Sequence, residues 1–196
     1  MLLSTLAGMM IAIGGTVFLS VGDVAGALFF SMGLLSILIF KLELFTGKAG
    51  LLATNEIKIG KLVQIWCGNF IGTLTVAFGL LFVPSGPKLS NVAADIIQIR
   101  IENGFTANLI YGIGCGILMY IAVKAWSLMS NNPVYAMMPV AIFILCGFTH
   151  CVADMFYLHM GAMNYSDYLI LIPTTIGNII GTNVLPVTIK LHTKGN

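Results

Sequence analysis

The residues best suited to chemistry are His150 and Asp154, within Cys146-Gly147-Phe148-Thr149-His150-Cys151-Val152-Ala153-Asp154-Met155-Phe156. An imidazole and a carboxylate stand four residues apart inside an apolar run long enough to lie in a membrane. Ionisable groups at that depth are costly and face a bundle interior or a water-filled path, so the pair marks a functional site. Histidine, with an unperturbed pKa of about 6.5, can exchange a proton near physiological pH. Asp154, about one helical turn on, would stabilise a charged imidazole if both face one cavity. Cys146, His150, Cys151 and Asp154 are all metal-ligand types. On a helix, however, Cys151 points away from His150 and Asp154, and catalytic zinc needs three convergent protein ligands. Neither a metal, a cofactor nor a catalytic residue is therefore expected, and the chain does not read as an enzyme.

The surroundings of this stretch are those of a membrane protein. Of 196 residues, 58% are hydrophobic and only 8% charged, with a mean hydropathy of +1.00. A soluble domain carries about 25% charged residues. The net charge of +2 is small and scattered, which excludes nucleic acid as a partner. Cys67, Cys115, Cys146 and Cys151 all lie in apolar segments and read as packing residues. Met1 to Val21 lacks a basic leader, and its Gly8, Gly14 and Gly15 suit a packed span better than a cleaved signal.

Apolar runs compared with the ~20 residues that cross a bilayer predict six spans, near 2–21, 25–45, 60–83, 105–129, 134–160 and 167–189. The polar stretch 84–104 is expected to be the longest exposed connection. Lys58, Lys61, Lys124, Lys190 and Lys194 fall on one side, against Lys88 and Arg100 on the other, which places both termini in the cytoplasm and the protein in the inner (plasma) membrane.

Gly68-Asn69-Phe70-Ile71-Gly72-Thr73 in span three recurs in span six as Gly177-Asn178-Ile179-Ile180-Gly181-Thr182. Spans two and five each carry a Phe-Thr pair, Phe45-Thr46 and Phe148-Thr149, among polar residues that interrupt the apolar run. Two halves of three spans, about 1–83 and 105–189, enter the membrane from opposite sides. The expected fold is therefore an all-α, single-domain, 3+3 inverted repeat with helices two and five broken, in an aquaporin-like architecture. Charges, a hydroxyl and glycines between Lys41 and Gly50 mark the first break, and Gly147 to His150 the second. Each break presents a helix N-terminus, whose partial positive charge attracts anions.

At these motifs the chain resembles the formate/nitrite transporter family of pentameric channels for small monovalent anions. The likeness is carried by Leu44-Phe45-Thr46-Gly47, Trp66-Cys67-Gly68-Asn69, Gly147-Phe148-Thr149-His150 and Ile176-Gly177-Asn178-Ile179-Ile180-Gly181, in that order over nearly the whole chain. The resemblance implies that His150 is the central pore histidine and Thr46 its hydroxyl-bearing neighbour. It implies that Phe30 and Phe143 form one apolar constriction, that Leu34 and Leu44 stand near the other, and that Asn69 and Asn178 support the pore. Arg100 matches by spacing a cation that draws anions into the vestibule. The chain departs from the family in having Thr149 where Glu is usual, Asp154 where Asn is common, and Gly116 where span four usually has Asn.

A bare anion entering an apolar constriction loses hydration at a cost of several kcal/mol. Gathering the anion at a cationic vestibule and neutralising it with a proton avoids that cost. The resemblance thus implies transport of formate or nitrite, with hydrosulfide, acetate or lactate as alternatives, protons as a further partner, and a homopentamer in membrane lipid. A neutral-solute channel of the aquaporin or urea type is the main rival. The paired Asn-Pro-Ala motifs of aquaporins are absent from the sequence.

Overall fold

The computed structural model describes residues 1–194, with the side chain of Lys194, used above for orientation, outside the described part. The regular structure of the described residues is all helical, without a strand: α1 (Leu2–Val21), α2 (Asp23–Phe30), α3 (Met32–Ile39), α4 (Phe45–Ala49), α5 (Ile59–Leu80), α6 (Gly86–Leu128), α7 (Pro133–Leu145), α8 (Cys151–Gly161), a 3-10 turn (Tyr165–Ile170) and α9 (Leu171–Lys194). Four stretches are long and apolar enough to cross a membrane: Leu2–Val21, Ile59–Leu80, Gly86–Leu128 and Tyr165–Thr193. Asp23–Ile39 and Pro133–Leu145 are apolar but shorter. Each of these two is followed by a non-helical stretch and a second, separate helix, α4 and α8 respectively.

Small residues bring the long helices together. A Cβ on Gly116 of α6 would lie 2.6 Å from the Asn178 carbonyl of α9, and one on Gly14 of α1 would lie 2.6 Å from the Phe30 carbonyl of α2. Lipid tails are as apolar as side chains, so helices in a bilayer associate through such close backbone packing rather than through exclusion from water. Large apolar side chains such as Phe78, Phe82 and Ile110 point outward instead.

The stretch 84–104 is not an exposed connection. Residues 86–103 are helical and run into 105–128 through a kink at Gly104, whose φ of 68° is a left-handed conformation suited to glycine. Leu89, Ala93 and Ile97, four residues apart, form a buried stripe on this segment. Its polar residues had masked that helical period. The hydroxyl of Ser90 donates to the Met160 carbonyl at 2.6 Å, tying the segment to the end of α8. Arg100 is thereby carried into the protein, its side chain only 11% exposed.

Candidate functional site

The two interruptions are built alike. α7 ends with Gly147 in the left-handed region at φ 68°. The Gly147 amide donates to Ile144 at 3.0 Å and the Phe148 amide to Phe143 at 2.9 Å, the double bond pattern that closes a helix C-terminus. α3 ends the same way, with Lys41 at φ 53°, the Lys41 amide donating to Leu38 at 3.4 Å and the Leu42 amide to Ile37 at 2.9 Å. The chain then turns back into the protein before the next short helix begins.

An asparagine holds each returning loop. Asn69 Oδ1 accepts the Phe45 amide at 2.8 Å, while its Nδ2 donates to the carbonyls of Ser4 at 2.7 Å and Glu43 at 2.9 Å. Asn178 Oδ1 accepts the Cys151 amide, and its Nδ2 donates to the carbonyls of Gly112 and Thr149, each at 2.9 Å. Each carboxamide thus satisfies one amide and one carbonyl that the buried chain would otherwise leave unpaired, and ties them to a carbonyl of a neighbouring helix. Asn69 and Asn178, anticipated as pore supports, both sit at 0% exposure.

The loops meet at Thr46 and His150. Thr46 Oγ1 and His150 Nε2 are 2.9 Å apart. His150 is the N-cap of α8, and its Nδ1 accepts the Ala153 amide at 3.1 Å. With Nδ1 accepting, a neutral imidazole carries its proton on Nε2 and donates it to Thr46. The Thr46 hydroxyl makes no other hydrogen bond among the described residues, so its own proton remains free to donate to a solute.

A cavity of about 190 Å³ lies on one side of His150, lined also by Phe30, Phe143, Phe148, Arg100, Asp154 and Tyr157. Phe30 and Phe143 meet edge to face with centroids 6.4 Å apart, and Phe143 stacks on the His150 ring at 5.5 Å. On the other side, Thr46 and Lys124 line a cavity of about 360 Å³. An adjoining cavity of about 440 Å³ is lined by Leu34, Leu44, Lys41 and Lys48. All the anticipated constriction residues are therefore buried beside the central pair, Phe30 and Phe143 toward one cavity and Leu34 and Leu44 toward the other.

Arg100 and Asp154 also face one another. Arg100 Nε lies 3.7 Å from Asp154 Oδ1, and its Nη1 donates to the Gly147 carbonyl at 2.6 Å. The guanidinium thus grips the end of α7 as well as facing the cavity. Asp154 turns its carboxylate toward Arg100, and no direct bond joins it to His150.

Comparison with known proteins identifies the scaffold. The formate/nitrite transporter family model matches residues 1–192. The chain belongs to the formate/nitrite transporter family. Its members are channels and transporters rather than enzymes, so the chain is a membrane channel protein for small anions. It is 28% identical over 198 residues to the formate channel FocA of Haemophilus influenzae, covering 80% of this chain and 69% of that one. It is 27% identical over 211 residues to FocA of Escherichia coli, covering 87% and 74%. A pentameric formate channel solved with formate bound superimposes with a TM-score of 0.80 at 25% identity, over 99% of this chain and 96% of that one. A second structure, an ion channel of the same family, has a TM-score of 0.76 at 20% identity and supports the fold alone.

The departures from the family pattern fall at distinct places. Thr149 donates to the Asn108 carbonyl at 2.9 Å, joining the returning loop to α6. Gly116 lies in the α6–α9 contact, where a larger residue would strike α9. Asp154 lines the cavity. Sequence reasoning missed Asn108, which donates to the carbonyls of Arg100 at 2.6 Å and Gly104 at 2.8 Å across the kink. A polar side chain early in an apolar span was the available signal. Lys124, counted above only for orientation, lines the cavity beside Thr46.

Proposed function

We propose that the chain is a homopentameric channel for small monovalent weak-acid anions, formate or nitrite first, with one pore in each protomer. The anion gathers in the cavity beside Arg100, crosses Phe30 and Phe143 as its neutral acid, and is relayed past His150 and Thr46 toward Leu34 and Leu44. The observation that carries this reading is the 2.9 Å contact between Thr46 Oγ1 and His150 Nε2. Both donors are buried, with Thr46 lining one cavity and His150 the other, which supports the reading. The Thr46 hydroxyl and the His150 Nε2 proton can each bond to an oxyanion there. His150 exchanges a proton with the weak acid once it has passed the aromatic narrowing.

The same proposal includes an inverted repeat of about 1–83 and 105–189 within a single domain, with both termini on the cytoplasmic side of the inner membrane. The matched loop closures and the matched asparagine brackets support the repeat. Hydrosulfide and short monocarboxylates such as acetate and lactate form the alternative substrate set. A flux screen in proteoliposomes across formate, nitrite, hydrosulfide, acetate and lactate tests the reading, with native mass measurement of the detergent-solubilised assembly beside it. Flux of formate or nitrite above protein-free vesicles and a pentameric mass are expected. Equal permeation of urea or glycerol would favour a neutral-solute channel, and a stable monomer would remove the assembly from the proposal.

A further inference from the structure

We propose that Arg100 and Asp154 form a joint site for one proton and one compact monovalent anion, and that occupation by both together delivers the anion to the constriction as its neutral acid. This deepens the channel reading above and rests on it. Asp154 is 1% exposed, and neither carboxylate oxygen has a hydrogen-bond partner among the described residues, nor does Arg100 Nε. The two groups face each other across 3.7 Å, close enough for charge compensation and too long for a hydrogen bond. Buried polar atoms without partners are rare in native proteins and mark a place where another group binds. Here they line a cavity that opens beside His150 and the Phe30–Phe143 pair.

The charge logic follows from the pair. With Asp154 ionised, the guanidinium is compensated and an incoming anion meets a neutral wall. A proton on one Asp154 oxygen leaves the charge of Arg100 open, and an anion then replaces the carboxylate as its partner. The Asp154 O–H bond breaks as an O–H bond forms on the anion. Asp154 returns to the carboxylate, re-pairs with Arg100, and the neutral acid leaves past Phe30 and Phe143. One proton and one anion enter the site and one neutral molecule departs, so no net charge crosses the apolar segment.

The titratable groups around Asp154 are few. α6 supplies Arg100 and Cys115, the loop before α8 supplies His150, and α8 itself supplies Cys151 and Tyr157. α9 adds the hydroxyl of Thr174, which faces the Asp154 carboxylate, and α1, α2 and α7 bring apolar side chains to the cavity. A thiol and a phenol ordinarily titrate above pH ~8. Asp154 and His150 are thus the groups to separate between pH ~5.5 and ~7.5.

Nitrate provides the separation, because it is compact and monovalent but too weak a base to accept the proton. It occupies the site and blocks it. The experiment measures nitrate binding to the purified, detergent-solubilised assembly by calorimetry at pH ~5.5 and ~7.5, with formate flux into proteoliposomes of the wild type beside it. In the wild type the nitrate dissociation constant is expected to fall by about tenfold or more on acidification, as the protonated fraction of a carboxyl group rises. In Asp154→Asn, where Arg100 is never compensated, nitrate binding is expected to be tight and to differ by less than about twofold between the two pH values. Asp154→Ser gives the same reading should the Asn variant fail to assemble. Wild-type nitrate binding that ignores pH, or a variant that keeps the wild-type pH shift, overturns the joint site and points to His150. Absence of any formate flux in the wild type would instead overturn the channel reading on which the site rests.

Discussion

The Phe143 ring lies nearly parallel to the His150 imidazole, with centroids 5.5 Å and planes 11° apart. Phe30 meets the same Phe143 ring edge-on. Phe143 therefore both lines the cavity and packs on the histidine, and the imidazole is held by three contacts at once: the Phe143 face, the Thr46 hydroxyl and the Ala153 amide. A group so constrained presents one proton, on Nε2, in one direction.

His150→Asn separates the chemistry of that proton from the architecture. Asparagine is a favourable N-cap and can accept the Ala153 amide, so the start of α8 should survive. Formate flux is expected to fall by about tenfold or more while the assembly keeps its mass and thermal midpoint. His150→Ala also removes the cap and should lower stability by about 1 kcal/mol. Full flux in the Asn variant would leave His150 as a capping residue only.

Phe143→Ala and Phe30→Ala test the narrowing. Each removes a ring that is 2% exposed or less. Each should raise the ratio of lactate to formate flux, measured in the same vesicles. Truncating a buried Phe costs about 3–5 kcal/mol in soluble cores, so a lowered melting temperature is expected with it. Phe143→Leu retains apolar volume and should keep more of the stability while losing the stack on His150. An unchanged flux ratio in both Ala variants would place the size filter elsewhere.

Asn69→Ala and Asn178→Ala should be the most damaging single changes to the scaffold. Each strands one amide, of Phe45 or Cys151, and one loop carbonyl, of Glu43 or Thr149, in the interior. The cost is about 1–3 kcal/mol per buried unsatisfied group. Loss of the assembled species on size-exclusion chromatography is the expected result. Asn178→Asp keeps the acceptor for Cys151 but withdraws both donors, and should fall between. Wild-type melting temperatures would show that the loops are held by other means.

Gly116→Ala and Gly60→Ala form a matched pair on two helices. The new Cβ at Gly116 would lie 2.6 Å from the Asn178 carbonyl, whereas nothing lies within 4 Å of one at Gly60. Gly116→Ala is expected to force α6 and α9 apart and to lower the melting temperature of the assembly. Gly60→Ala should be neutral or stabilising by about 0.5–1 kcal/mol, because alanine is the better helix former. Equal melting temperatures would refute the close α6–α9 packing as a determinant of stability.

The membrane class, the all-helical fold and the residues proposed for a channel site were legible in the sequence. Hydropathy, charge spacing and the recurring Gly-Asn-x-x-Gly pattern are local properties, readable without knowing what touches what. They also put Thr46 and His150 where an apolar run is broken, and Asn69 and Asn178 at matching positions of spans three and six. What they left open was direction and partnership. Residues 86–103 looked like a loop because their polar face outnumbers the buried stripe of Leu89, Ala93 and Ile97, and only the packing against α8 shows which face is inside. Asp154, read from its spacing as a neighbour of the imidazole, turns to Arg100, which comes from another helix far away in the chain. Thr46 reaches His150 across a still larger separation. Such contacts arise where two chain breaks and a kink converge, and a helical period within one segment carries no record of them.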